Sequence, residues 1–216
     1  MPKVTALKRQ KKNAHRVNVY LDGEYAFALQ DIVAISLKVG QELSPNDILT
    51  LKTQDVFQRE YDRVLHYLSY RPRSVREVRQ YLADRDVESG IADNIVTRLQ
   101  RAGLLDDAAF ARSWVESRDS LRPRGRYLLA RELRQKGVPD EIIQEALQSV
   151  EEERSAYRAG VNRVGALQGM DYPTFRRRLG DFLHRRGFGY EIIRETVQRL
   201  WQEMQEGKLG LQSKHS

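Results

Sequence analysis

The sequence predicts a mainly α protein: three tandem three-helix repeats forming an elongated, curved body, with a small β-hairpin or β-sheet element at the N-terminal end. Three observations predict it. Apolar and proline positions recur in a register of 50–51 residues. Amphipathic helical stripes fill the chain from about Arg59 onward. Ahead of them, two runs of alternating hydrophobicity are joined by an Asp-Gly pair.

The N-terminal element comes first. Val17, Val19 and Leu21 alternate with polar residues, Asp22-Gly23 follows, and Tyr25, Phe27 and Leu29 alternate in turn. That pattern predicts a hairpin, because Asp-Gly supplies the positive φ angles a two-residue turn needs. Val4 to Lys8 adds a third expected strand. In Ser44-Pro45-Asn46-Asp47 an N-cap serine, a first-turn proline and an acid predict the start of a short helix. This element is assigned residues 1–53.

The repeats follow. Pro72, Pro123 and Pro173 are 51 and 50 residues apart, and Leu82, Leu133 and Leu183 keep that spacing. So do Val87, Val138 and Phe188, then Ile91, Ile142 and Ile192. Self-similarity at this period is the signature of stacked helical units. The repeats are placed at 54–105, 106–152 and 153–206, with a flexible tail at 207–216. In the first repeat helices are expected at about 59–69, 74–84 and 91–101. Ser74 and Glu77 are spaced as a capping box. Gly137 and Gly187 fall where a left-handed C-cap belongs, each followed by an apolar residue. Asp86 stands in that place in the first repeat, so a different turn is expected there.

Composition narrows the function. The net charge is +7, with a pI of about 9.7. Residues 1–16 hold six bases and no acid, whereas 108–152 are balanced. Generic polyanion affinity is the modest inference. There are no cysteines, which excludes disulfides, thiolate metal sites and a cysteine nucleophile. No apolar run reaches the roughly 20 residues of a membrane span, and the basic N-terminus is not a secretory signal. A cytoplasmic monomer is expected. Phosphate-loop and dinucleotide glycine motifs are missing from the sequence. His15, His66, His184 and His215 are scattered, so no metal or other cofactor is expected. Asp106-Asp107 reads as a helix cap rather than a chelating pair, and Trp114 as a core residue beside Phe110 and Val115.

The arginines are the candidate binding residues. Arg71 and Arg73 flank the first proline. Arg118, Arg122, Arg124, Arg126 and Arg134 surround the second, and Arg176, Arg177, Arg178, Arg185 and Arg186 follow the third. Guanidinium groups recurring at one place in each repeat suit carboxylates or phosphates. A solvated face with local pairs such as Glu132 with Lys136 accounts for the same residues, and both readings stay open. Lys8, Arg9, Lys11, Lys12 and Arg16 form a candidate polyanion arm, for which a solubilising tail is the alternative.

Several stretches carry a family resemblance: Tyr67-Leu68-Ser69-Tyr70-Arg71-Pro72-Arg73-Ser74, Gly103-Leu104-Leu105-Asp106-Asp107 with Phe110, Trp114 and Arg118, Glu132-Leu133-Arg134-Gln135-Lys136-Gly137-Val138-Pro139, and Arg185-Arg186-Gly187-Phe188. Their order and spacing resemble the RecX family. The resemblance implies a cytosolic bacterial regulator, not an enzyme, that binds the RecA filament. Such a protein inhibits strand exchange, ATP hydrolysis and coprotease action, within DNA recombination, repair and the SOS response. It also implies single- or double-stranded DNA as a second partner. An independent nucleic-acid-binding protein is the alternative.

Overall fold

The computed structural model describes residues 1–208. From position 209 on, the expected tail lies outside the described residues, as does His215. The chain divides into two compact units, one of residues 1–72 and 78–104, the other of residues 73–77 and from 105 onward.

In the first unit, β1 (Val4–Arg9), β2 (Arg16–Leu21) and β3 (Glu24–Gln30) form an antiparallel sheet in that order. Asp22 and Gly23 both take positive φ, 51° and 92°, and Leu21 faces Glu24 across the two-residue turn. Val17, Val19, Phe27 and Leu29 are buried with Val4, Val33, Leu37 and Leu43. Tyr25 departs from the expected alternation and is exposed. The pairing slips from Val19 with Phe27 to Tyr20 with Tyr25, and the extra residue of this bulge turns Tyr25 off the buried face.

A one-turn helix α1 (Asp31–Ala34) leads to α2 (Pro45–Ser69). Ser44 and Asp47 close a reciprocal capping box at its start. The short helix expected at Ser44 and the one expected at about 59–69 are a single helix of 25 residues. No glycine or proline interrupts positions 46–69, so nothing stops propagation. Asp55 anchors α2 to the sheet: it is 6% exposed, pairs with Arg16 at 2.9 Å and accepts the Gln30 N–H at 2.6 Å. The helices α3 (Val75–Ala83) and α4 (Ser89–Arg101) complete the first set of three.

The second unit holds α5 (Asp107–Leu121), α6 (Arg126–Gln135), α7 (Asp140–Gln148), α8 (Glu152–Val164), α9 (Tyr172–Arg185) and α10 (Tyr190–Gln205). Most of the expected apolar register lies in two cores. Leu133 and Val138 are buried in one, with Ile142 half-buried against it, and Leu183 and Phe188 are buried in the other, with Ile192 half-buried against it. Gly137 and Gly187 sit at φ 77° and 82°. The N–H groups of Val138 and Phe188 donate back to Leu133 and Leu183, the Schellman pattern. Asp86 does not give the different turn expected. It takes φ 54°, and Val87 N–H donates to Leu82 O at 3.2 Å, so an aspartate makes the same cap at some steric cost.

One junction occurs twice in the second unit. Ser74 Oγ donates to Lys136 O at 2.6 Å, and Gly125 N–H donates to Arg186 O at 2.9 Å. Ser74 and Gly125 each stand two residues after a register proline, and Lys136 and Arg186 each precede a capping glycine. A Cβ at Gly125 would lie 2.0 Å from Gly187 O, so the second junction requires glycine.

Candidate partner-binding surface

The C-terminal end of α5 and the loop into α6 gather arginines around one carboxylate. Arg122 leaves helical geometry at φ −148°, and the loop 122–125 brings Arg124 back beside Glu132 on α6. Arg118 Nε donates to Glu132 Oε2 at 3.2 Å, and Arg124 Nη1 pairs with Glu132 Oε1. Trp114 Nε1–H donates to Oε2 at 2.9 Å. Trp114 packs on the core as expected, but its ring also lies 4.4 Å from the Arg118 guanidinium and 5.4 Å from Lys136 Nζ.

The expected Glu132–Lys136 pair does not form. Lys136 Nζ instead reaches Glu77 at 2.8 Å, because the turn that ends α6 points it at the first turn of α3. Arg186 joins the cluster by donating to Pro123 O at 3.2 Å. Burial, with Arg118, Arg186 and Arg122 alongside, holds Arg124 below the ordinary guanidinium range. Burial and Arg122 do the same to Arg186. These guanidiniums remain charged. The shifts report first the burial of these groups and then the other guanidiniums beside them.

A second basic surface lies along α6, α9 and α10. A groove of ≈ 830 Å³ is lined by Arg126, Tyr127, Arg131, His184, Arg185 and Tyr190, among others. It shares His184, Tyr190 and Ile193 with an adjoining cleft of ≈ 510 Å³ that adds Tyr172, Arg176, Arg177 and Arg194. Arg131, Arg176 and Arg185 make no hydrogen bond or ion pair within the described residues. Tyr127 and Tyr190 are 72% and 76% exposed. Sequence reasoning missed these tyrosines. The signal was their place just inside the first turns of α6 and α10, off the apolar stripe of each helix.

The remaining candidates separate. Arg71 belongs to the first unit and donates to Pro72 O at 2.9 Å, whereas Arg73 is half-buried in the second. Arg126 serves the fold, donating to Val150 O at 2.7 Å. Arg134 pairs with Asp140 at 2.7 Å on the surface. Arg178 is exposed like its neighbours. Arg71 and Arg73 precede α3, and Arg122 and Arg124 precede α6, but α9 starts at Tyr172, so Arg176, Arg177 and Arg178 lie inside a helix. The arginine register thus holds for two repeats and changes in the third.

In the expected arm, Lys8 and Arg9 lie in β1, and Arg16 lies in β2 with its guanidinium held by Asp55 and Ala28 O. Lys11 and Lys12 are exposed in the turn between these strands. Asp106 caps α5 by accepting from Ala108 and Ala109 N–H. Asp107 accepts the Val75 N–H at 2.9 Å, and burial, its hydrogen bond notwithstanding, raises its pKa. Among the described residues no three His, Asp or Glu side chains are placed to hold a metal ion, and no helix is long and apolar enough to cross a membrane.

Comparison with known proteins gives this geometry a family. Residues 2–44 match the regulatory protein RecX N-terminal domain, 61–99 the first three-helix domain of RecX and 106–147 the second. The chain is 32% identical to regulatory protein RecX of Bacillus subtilis over 212 residues, covering 95% of this chain and 80% of that one. It is 31% identical to the Bacillus pumilus protein of that name, covering 96% and 81%. A crystal structure of regulatory protein RecX superposes with a TM-score of 0.77 at 26% identity, covering 92% of this chain and all of the other. The crystal structure of RecX from Lactobacillus salivarius shares the fold at a TM-score of 0.62, over 68% of this chain and 97% of that one. On the extent of these matches, the chain belongs to the RecX family of regulatory proteins.

Proposed function

We propose that this protein binds the RecA recombinase filament in the cytoplasm and inhibits its ATP hydrolysis, strand exchange and coprotease action, so acting in recombination, repair and the SOS response. It acts as a monomer and carries out no catalytic step of its own. The observation that carries this reading is the match, over nearly the whole chain, to proteins named for regulation. The arginines of the second unit support it, because guanidinium groups suit recognition of a large, charged partner. The test is RecA-dependent ATP hydrolysis on single-stranded DNA with increasing amounts of this chain. Hydrolysis falls as the chain approaches stoichiometry with RecA. Unchanged hydrolysis at excess chain sinks the reading.

The groove along α6, α9 and α10 favours DNA as a second ligand. Exposed tyrosines between guanidiniums are the combination that stacks bases while tracking a backbone. The proposal includes single-stranded DNA binding there, with double-stranded DNA bound less well. On this reading, log affinity falls against log salt by about 0.7 for each phosphate neutralised. A salt-independent affinity would remove DNA from the account.

A further inference from the structure

The cluster around Glu132 differs in kind from the tyrosine-lined groove. Arg118 and Arg124 hold the Glu132 carboxylate, Arg122 and Arg186 bring further positive charge beside Arg124, and the acid Asp119, next in sequence to Arg118, is held by Ser155 and Arg158. Arg118 and Arg124 each take a different oxygen of Glu132, so the forks already stand at carboxylate geometry. Arg122 is exposed and makes no side-chain hydrogen bond or ion pair within the described residues. Beside it, Leu121 is 79% exposed, an apolar side chain at the end of α5 where the basic loop begins. A phosphate backbone gives a leucine nothing to cover it, whereas a peptide supplies carboxylates and apolar side chains together.

We propose that the cluster of Arg118, Arg122, Arg124 and Arg186 is a docking site for an acidic segment of a protein partner. Glu132 is its resident counter-ion, and Leu121 supplies an apolar contact beside the charges. The inference rests on the reading that this chain acts through a protein partner, and it names the chemistry of the segment recognised. Arg118 and Arg124 are held in place by Glu132 and Trp114 before binding, which lowers the ordering cost of docking. Arg122 and Arg186 supply the uncompensated charge. The incoming carboxylate meets Arg122 first, because that side chain is exposed at the rim.

Trp114 reports on the site directly. A full-length Trp201→Phe chain leaves it as the sole tryptophan, since the sequence has two. The probe is a synthetic peptide of Glu, Asp and Leu residues, titrated at low salt while Trp114 emission is followed. Saturable binding is expected. Arg122→Glu weakens it about tenfold while the helical signal is retained, as loss and reversal of an interface charge should. Glu132→Gln keeps an acceptor for the Trp114 N–H and removes the competing charge, so it tightens binding severalfold.

Equal affinity in the Arg122→Glu and parent chains overturns the proposal. So does an oligothymidylate of matching length that perturbs Trp114 at lower concentration than the peptide. The titration contains no RecA, so its failure leaves the filament reading standing, and failure of the ATP-hydrolysis test leaves the titration standing.

Discussion

Glu132 and Asp55 each hold side chains that the sequence places far from them. Charge type is legible in a sequence, but ion-pair geometry is not. The local i, i+4 rule pairs Glu132 with Lys136, yet a loop returning from α5 brings Arg124 and Arg118 to Glu132 and leaves Lys136 for Glu77. Arg16 reads as part of a basic arm until the sheet places it against Asp55, which is buried. Removing one partner of a buried pair leaves the other charge uncompensated. Asp55→Ala is therefore expected to lower unfolding free energy by about 3 kcal/mol, measured by urea denaturation. Asp106→Ala removes two accepted N–H bonds at the start of α5 and costs about 1 kcal/mol by the same measurement.

Tyr157 carries a pH dependence. Its hydroxyl donates to Glu203 at 2.6 Å, and that bond, with burial added, raises its pKa above the ordinary 10.0. The protonated phenol is the form the fold favours. Its contribution is therefore complete below the unfolded pKa and lost as pH rises through the folded one. Tyr157→Phe is expected to flatten the decline of stability as the pH rises above 10.0. Parallel declines in both proteins would contradict this.

At the level of elements, turns and caps read best, because each depends on a few adjacent residues. The Asp22-Gly23 hairpin, the Ser44 cap and the capping glycines follow from backbone angles that those residues adopt readily. Features set over longer range are hidden. The bulge that exposes Tyr25 depends on pairing with β2. Gly125 shows the limit most clearly. It has φ −71°, so no local rule marks it, yet the backbone of residue 187 fills the space a side chain would take. Gly125→Ala is expected to cost about 3 kcal/mol in thermal or urea unfolding. Gly137→Ala at positive φ would also put a Cβ 2.6 Å from Arg76 Cβ, which is fixed to its own backbone, and is expected to cost about 3 kcal/mol as well. Asp86→Gly relieves the one strained cap of the three and gains several tenths of a kcal/mol. An unchanged unfolding midpoint in Gly125→Ala would contradict the junction described.

Over the whole molecule, the 50–51-residue register carried the most information. Leu82, Leu133, Leu183, Val138 and Phe188 on it are buried while Val87, Ile91, Ile142 and Ile192 are half-buried, and the two junctions repeat on it as well, a consequence visible only once Ser74 and Gly125 are seen at equivalent places. The arginines were legible as candidates, but which of them are engaged internally was not. Arg122 makes no side-chain hydrogen bond or ion pair within the described residues, while Tyr127 and Tyr190 were marked only by their place off the apolar stripes of α6 and α10. The central claim, binding to the RecA filament, is tested most directly by sedimenting RecA assembled on single-stranded DNA with this chain, at salt high enough to release it from naked DNA. The account predicts that the chain pellets with the filament and stays in the supernatant with DNA alone. Equal recovery in the two supernatants would contradict it.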